Sequence, residues 1–344
     1  MIKCVVWDLD NTLLDGVYLE SPDRPPPANP ALGAVLRDLA SRGIVHAIAS
    51  RNPPEAGQYA EQVTDHAFAA IHCGWGTKPD AIVAITAELG MTADAVAFVD
   101  DDALERAEVS FRLPQVLVLA PQDLPDAADW PQFSPATVTD EARRRGESYL
   151  RRRSRQEEAR AYGGSREDFL RYCQTKVTIA PATVAELPRL HELSVRTHQF
   201  NSTGTAVGEA QFASLLASAE HRIATVRLAD RFGDDGLVGA CVIAVGSDCW
   251  QVPLLMMSCR ALGRGVIDAL LAWICRSAHA AGAKEVAVTC VLSPRNVPLR
   301  IALADAGFRA AEPALVEGAR RTAIYRRAIG EVLPAVPDWV TVAA

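Results

Sequence analysis

Four short stretches hold residues whose types and spacing could move a phosphoryl group. The first is Asp8-Leu9-Asp10-Asn11-Thr12, two carboxylates two residues apart at the end of the apolar run 4–9. Where a strand ends and the chain turns, both acids can converge, one to attack phosphorus and the other to move the proton. The second is Ser50, after the apolar run 44–49, a hydroxyl placed to bind a phosphoryl oxygen. The third is Lys78, a fixed cation that would offset charge in the transition state. The fourth is Asp100-Asp101-Asp102, after the run 95–99. Adjacent carboxylates repel unless a hard cation such as Mg²⁺ neutralises them. Singly, each signal is weak, since acid pairs often cap loops and a lone lysine is usually solvated. In this order they read as one site.

A second kind of chemistry is written at Arg260-Ala261-Leu262-Gly263-Arg264-Gly265, between an apolar strand pattern at 251–257 and a helical pattern from 266. Glycines let the backbone approach a ligand, and free N–H groups at a helix start favour a phosphate or pyrophosphate. Cys259 stands immediately before this loop, where a thiol could hold an acyl group in transit; a packing residue is its plainer role.

These residues need a scaffold. In the first third, strand patterns at 4–9, 44–49, 95–99 and 116–119 alternate with helical patterns at 31–41, 54–63 and 78–89, which predicts a doubly wound parallel sheet. Such sheets gather their sites at the carboxyl ends of the strands. The proline-rich segment 21–30 is expected as a loop. Residues 140–171 are charged and arginine-rich, with Arg143-Arg144-Arg145 and Arg151-Arg152-Arg153, and read as a solvated linker helix or a surface for an acidic partner. Strand patterns then follow at 177–180, 223–228, 237–245, 251–257 and 285–291, with helices at 187–195, 266–280 and up to 306, an α+β arrangement.

Composition bounds the rest. A chain of 344 residues is long enough for two cores, and a net charge of −7 argues against a general nucleic-acid binder. No apolar run reaches membrane-spanning length and the first residues lack a signal-peptide pattern. Eight cysteines with no CxxC pair suggest reduced thiols and a cytoplasmic location.

The set DxDxT, Ser, Lys and Asp-Asp resembles the haloacid dehalogenase (HAD) superfamily. The resemblance implies that Asp8 is a nucleophile forming an aspartyl-phosphate and Asp10 a general acid/base. It further implies phosphate binding by Thr12, Ser50, Arg51, Asn52 and Lys78, and Mg²⁺ held by Asp8, Asp10, Asp100 and Asp101. The span between Asn11 and Ser50 leaves little room for a large cap. The glycine loop resembles the R/Q-x-x-G-x-G/A loop of GNAT acyltransferases, which implies phosphopantetheine binding by Arg260, Gly263, Arg264, Gly265 and Asn296.

Joined in one chain, the two halves look like the FkbH-like family of glyceryltransferases. Residues 3–13, Phe98 to Arg106, His198-Gln199-Phe200-Asn201 and 258–265 carry that likeness. It implies an α/β HAD-like domain at 1–139, a charged helical linker at 140–171, a GNAT-like domain at 172–330 and a tail at 331–344. It also implies transfer of a glyceryl unit from 1,3-bisphosphoglycerate, or a related phosphorylated three-carbon donor, to a holo acyl carrier protein in polyketide-type biosynthesis, with loss of phosphate. Departures flank the phosphoryl site: Leu14-Asp15-Gly16 replaces a usual Trp-Gly-Gly, and Ala49-Ser50-Arg51-Asn52 a usual Cys-Ser-Lys-Asn. Two other readings stay open, a Mg²⁺-dependent phosphatase whose second domain binds a partner, and a CoA-dependent acetyltransferase.

Overall fold

The computed structural model describes residues 1–20, 24–134, 145–197, 199–311, 315–317, 320–330 and 332–343. The expectations for Ser21 to Asp23, Arg143, Arg144 and His198 lie outside the described residues. The chain divides into two compact units, Met1–Gln156 and Glu157–Ala344. The division falls inside a helix, Arg145–Ala161.

The first unit is built on a five-stranded, all-parallel sheet of order β3-β2-β1-β4-β5, formed by β1 (Cys4–Trp7), β2 (Val45–Ser50), β3 (Ala70–Cys73), β4 (Val96–Val99) and β5 (Leu117–Leu119). Its strands are apolar almost throughout because both faces are covered. Alternate residues face opposite sides. Val5 and Trp7 pack with Leu32, Leu36 and Leu39 of α1 (Pro30–Ser41) and Ala56 and Ala60 of α2 (Pro54–Thr64). Cys4 and Val6 pack with Ile82, Ile85 and Leu89 of α3 (Lys78–Leu89) and Val109 of α4 (Ala103–Arg112). Register then sets the site. Trp7 pairs with both Ile48 and Val99, so the residues that follow, Asp8, Ala49 and Asp100, stand at one level along the sheet, with β2 running on to Ser50.

The first strand is shorter than its apolar run suggests. It stops at Trp7, and Leu9–Leu13 forms a wide helical turn in which Asn11 takes φ 50°. Strand β3 went unrecognised in the sequence because Ala-Ile-His-Cys at the sheet's edge has little alternation to read. Among the described residues, only short turns and α1 lie between β1 and β2.

The second unit carries a ten-stranded mixed sheet whose main path runs β12-β14-β11-β10-β9-β8-β6-β15. Its strands are β6 (Thr175–Pro181), β7 (Phe200–Asn201), β8 (His221–Asp230), β9 (Gly233–Ala244), β10 (Cys249–Met257), β11 (Glu285–Val291), β12 (Arg309–Ala310), β13 (Leu315–Glu317), β14 (Arg320–Ala328) and β15 (Val340–Ala343). Its helices include α5 (Arg166–Tyr172), α6 (Leu187–Arg196) and α7 (Val266–Ala280). Helix α7 buries Ala269, Leu270 and Ile274 against the sheet. Strands β10 and β11 pair in parallel only from Cys249↔Glu285 to Val252↔Val288. Beyond that point Phe200 and Asn201 pair with Met257 and Met256. Ser202 then accepts from Val291 N at 2.7 Å and donates its N–H to Leu255 O at 2.9 Å. The last residues are part of this sheet, since β15 pairs with β6 in parallel. The expected class therefore stands: an α/β unit on a parallel sheet, followed by an α+β unit on a mixed sheet.

Candidate functional site

Asp8 is the centre of the first site. It is buried at the end of β1, and Ser50 Oγ donates to its Oδ1 at 3.0 Å. The Lys78 ammonium also contacts Asp8, lies 3.0 Å from Asp100 Oδ2 and donates to Ala49 O at 2.9 Å. Lys78 is delivered by the start of α3, where Thr77 caps the helix through Asp80 N and proline occupies the first turn. Burial pushes the Asp8 carboxyl up to about 6, partly countered by Lys78. Burial also works against the Lys78 charge, but Asp8 and Asp100 outweigh it and hold the ammonium above its ordinary value.

Asp8, Asp100 and Asp101 each offer an oxygen within 4.8 Å of one another. Three converging carboxylate oxygens are the donor set a hard divalent cation such as Mg²⁺ takes, so the residues fit that metal. Burial, then the neighbouring Asp100 carboxylate, raises the Asp101 carboxyl. Thr12 Oγ1 lies 3.5 Å from Asp101 Oδ1.

The Asp10 side chain is not one of these three converging carboxylates. Its Oδ1 accepts from Tyr18 N at 2.9 Å and its Oδ2 from Asn52 Nδ2 at 2.9 Å. Asn52 Nδ2 also donates to Ser50 Oγ at 3.1 Å, so this side chain braces the site. Arg51 is paired with Glu105 at 2.7 Å. Glu105 escaped the sequence reading, although its spacing from Asp102 was a usable signal. Asp102 caps α4, and Glu105 is the third residue inside, a position that reaches back toward the helix start.

A cleft of about 270 Å³ is lined by Ser50, His72, Cys73, Gly74, Thr77 and Lys78 among others, and reaches the Asp8 cluster only through Ser50 and Lys78. Cys73 is the register partner of Ser50 on the same face. Burial, and then the Asp8 carboxylate, push its thiol up to about 11, so it stays protonated at neutral pH.

The glycine loop of the second unit keeps its glycines and loses its arginines. Gly263 and Gly265 take φ of +69° and +79°, the left-handed region that glycine enters without strain. A Cβ on Gly265 would stand 2.8 Å from Val340 Cγ2 and 3.0 Å from Trp339 Nε1. Both glycines line a cleft of about 310 Å³ with Arg166, Phe200, Met257, Asp268 and Trp339. Arg264 was expected to bind phosphate. Its guanidinium is instead buried and bonded to Asp235 at 2.6 Å and Asp230 at 2.8 Å. Arg260 is also buried and turns back to Ser258 Oγ, 3.2 Å away. Asn296 is not at the loop either: its Nδ2 donates to Val291 O at 2.8 Å and Asn201 O at 3.4 Å, pinning the β11 end. Cys259 is half-buried in the turn Cys259–Ala261 and is not among the residues lining the cleft.

Against this geometry stand partial likenesses to solved proteins. No protein-family model and no curated protein matches the chain. The chain is similar to the N-terminal part of a Bacteroides fragilis protein containing a phosphatase domain, complexed with Mg, at 26% identity and TM-score 0.33. That match covers 37% of this chain and 38% of the other. It is also similar to a putative acetyltransferase of the GNAT family from Desulfovibrio desulfuricans, at 15% identity and TM-score 0.36, covering 45% of this chain and 99% of that one. A third similar structure is the ribosomal-protein-S18-alanine N-acetyltransferase of Escherichia coli, at 18% identity and TM-score 0.36, covering 46% and 98%. No helix of the described residues is long and apolar enough to cross a membrane.

Proposed function

We infer that this chain is an enzyme that takes a glyceryl unit from 1,3-bisphosphoglycerate, or a related phosphorylated three-carbon donor, loads it on the phosphopantetheine thiol of an acyl carrier protein, and releases phosphate. The observation that carries the reading is the buried Asp8, bonded by Ser50 and Lys78 and flanked by Asp100 and Asp101. Two chemical events are required. The pantetheine thiol attacks the acyl carbon: a C–S bond forms, the C–O bond to phosphate breaks, and the thiol proton leaves with phosphate or solvent. At the other end of the donor, Asp8 attacks phosphorus and the ester P–O bond breaks. The departing alkoxide takes a proton from Asp10, which Asn52 and Tyr18 N hold in place. Water then hydrolyses the aspartyl-phosphate, with Asp10 receiving its proton. Bound Mg²⁺ would neutralise the gathered charge. Lys78 holds Asp8 ionised and oriented for attack.

The second unit supports the carrier half of this reading through the cleft at Gly263 and Gly265, whose walls are mostly apolar and which opens at the start of α7. An extended amide-bearing arm with a phosphate at one end suits such a cleft. The test is intact-mass analysis of a carrier protein incubated with the enzyme, Mg²⁺ and a source of 1,3-bisphosphoglycerate. A glyceryl mass increment on holo carrier, absent from apo carrier, is expected. No increment, or equal increments on both forms, overturns the reading.

A further inference from the structure

We propose that Arg51, locked in place by the buried Glu105, reads a second anionic group on the substrate, and so restricts the Asp8 site to phosphate esters that also carry a carboxylate or a second phosphate. The inference rests on the phosphoryl-transfer reading of that site. Lys78 has three N–H groups and three acceptors around it, in Asp8, Asp100 and Ala49 O. Asn52 Nδ2 is committed to Asp10 and Ser50, and Ser50 Oγ to Asp8. Arg106 is drawn to the Asp100 carbonyl at 2.7 Å. Arg51 differs. Its guanidinium carries five N–H groups, one nitrogen is 2.7 Å from Glu105, and its side chain is 46% exposed.

Glu105 explains why that guanidinium is held ready. Its carboxylate is buried, and its Oε2 has no hydrogen-bond partner among the described residues. Lys78 and Asp100 lie within its electrostatic reach, which puts the Arg51–Glu105 pair at the rim of the carboxylate cluster. Glu105 takes one nitrogen of the planar fork, and the remaining N–H groups are left to a substrate anion in bidentate geometry. Glu105 is thus a positioning residue and Arg51 the reader. Ser50 and Lys78 are taken up within the Asp8 cluster, so a second anion on the substrate has to look to Arg51. A glycerate-type donor always has a second anion, either its carboxyl group or the other phosphate.

The experiment compares phosphate release from two probes with one carbon skeleton, 3-phosphoglycerate and glycerol 3-phosphate, using the full chain with Mg²⁺. Wild type is expected to favour 3-phosphoglycerate in kcat/KM by about tenfold or more, the scale of a charge-assisted contact. Arg51→Gln should collapse that preference mainly through KM, and Arg51→Lys should keep part of it. Glu105→Gln should lower it through a looser guanidinium, with thermal unfolding run in parallel to establish that the variant is folded. An unchanged preference in folded Arg51→Gln overturns the proposal, as does a wild type that hydrolyses both probes equally. A wild type that releases phosphate from neither sinks the phosphoryl-transfer reading and this inference with it.

Discussion

Replacing Lys78 with methionine tests how the carboxylate cluster is held together. The ammonium is only 4% exposed and sits between Asp8 and Asp100, whose side chains are 9% and 2% exposed. Methionine keeps most of the stem's length and bulk and deletes the charge. Two buried carboxylates would then face each other with no cation between them. Removing one partner of a buried ion pair costs about 3–5 kcal/mol. In a unit of this size 1 kcal/mol moves the midpoint by roughly 2–4 °C, so the metal-free variant should melt at least about 6 °C below wild type near pH 8. The sign of the pH effect follows from Asp8. Burial has already raised its carboxyl to about 6, and losing Lys78 removes an influence that lowered it. A raised acid stabilises the fold below its unfolded value near 4, and that contribution is lost as pH rises through the folded value. The variant therefore gains more than wild type on acidification, and its deficit should shrink near pH 5. Mg²⁺ should shrink it as well by supplying positive charge. Thermal unfolding followed by circular dichroism, at both pH values and with EDTA or Mg²⁺, reads all of this. A deficit below about 1 kcal/mol, or one equal at both pH values, would refute the buried-cation account.

Three further outcomes are expected. Asp8→Asn should lower Mg²⁺-dependent phosphate release by about a thousandfold or more, because an amide cannot act as the carboxylate nucleophile; release at the wild-type rate would end that role for Asp8. Because Mg²⁺ and a proton compete for Asp8, Mg²⁺ affinity measured by calorimetry should fall by roughly tenfold per pH unit below about 6. Affinity constant from pH 5 to 7 would mean that Asp8 is not a ligand. Cys259→Ala should leave phosphate release intact while stopping carrier loading if that thiol holds the glyceryl group in transit; loading at the wild-type rate would assign the attack to the pantetheine thiol directly.

Much of the scaffold was legible from the sequence, because helical and strand periodicities follow from local backbone geometry. The helices Lys78–Leu89 and Val266–Ala280 and the strand Glu285–Val291 sit on the predicted residues. The carboxylates and Ser50 could be named because in a parallel sheet the residues that end strands must converge on one edge, and Lys78 because it opens a legible helix. What escaped lacked a local signature. Strand β3 is four edge residues long, and β14 is an arginine-rich strand whose place is set by its antiparallel pairing with β11.

Side-chain roles depended on neighbours far away in sequence, and only the tertiary structure decided those. Asp10 stands two residues from Asp8, yet its oxygens meet Asn52 and Tyr18 N while Asp8 gathers with Asp100 and Asp101. Arg264 stands in a phosphate-loop pattern, but Asp230 and Asp235, brought to it from β8 and β9, use its charge internally. Glu105 acquired its meaning from Arg51, 54 positions earlier in number and one ion pair away in space. Sequence spacing determines which backbone elements form and which edge they share. Which oxygen meets which nitrogen is settled by packing between elements, because a buried charge takes whichever opposite charge the fold places within reach.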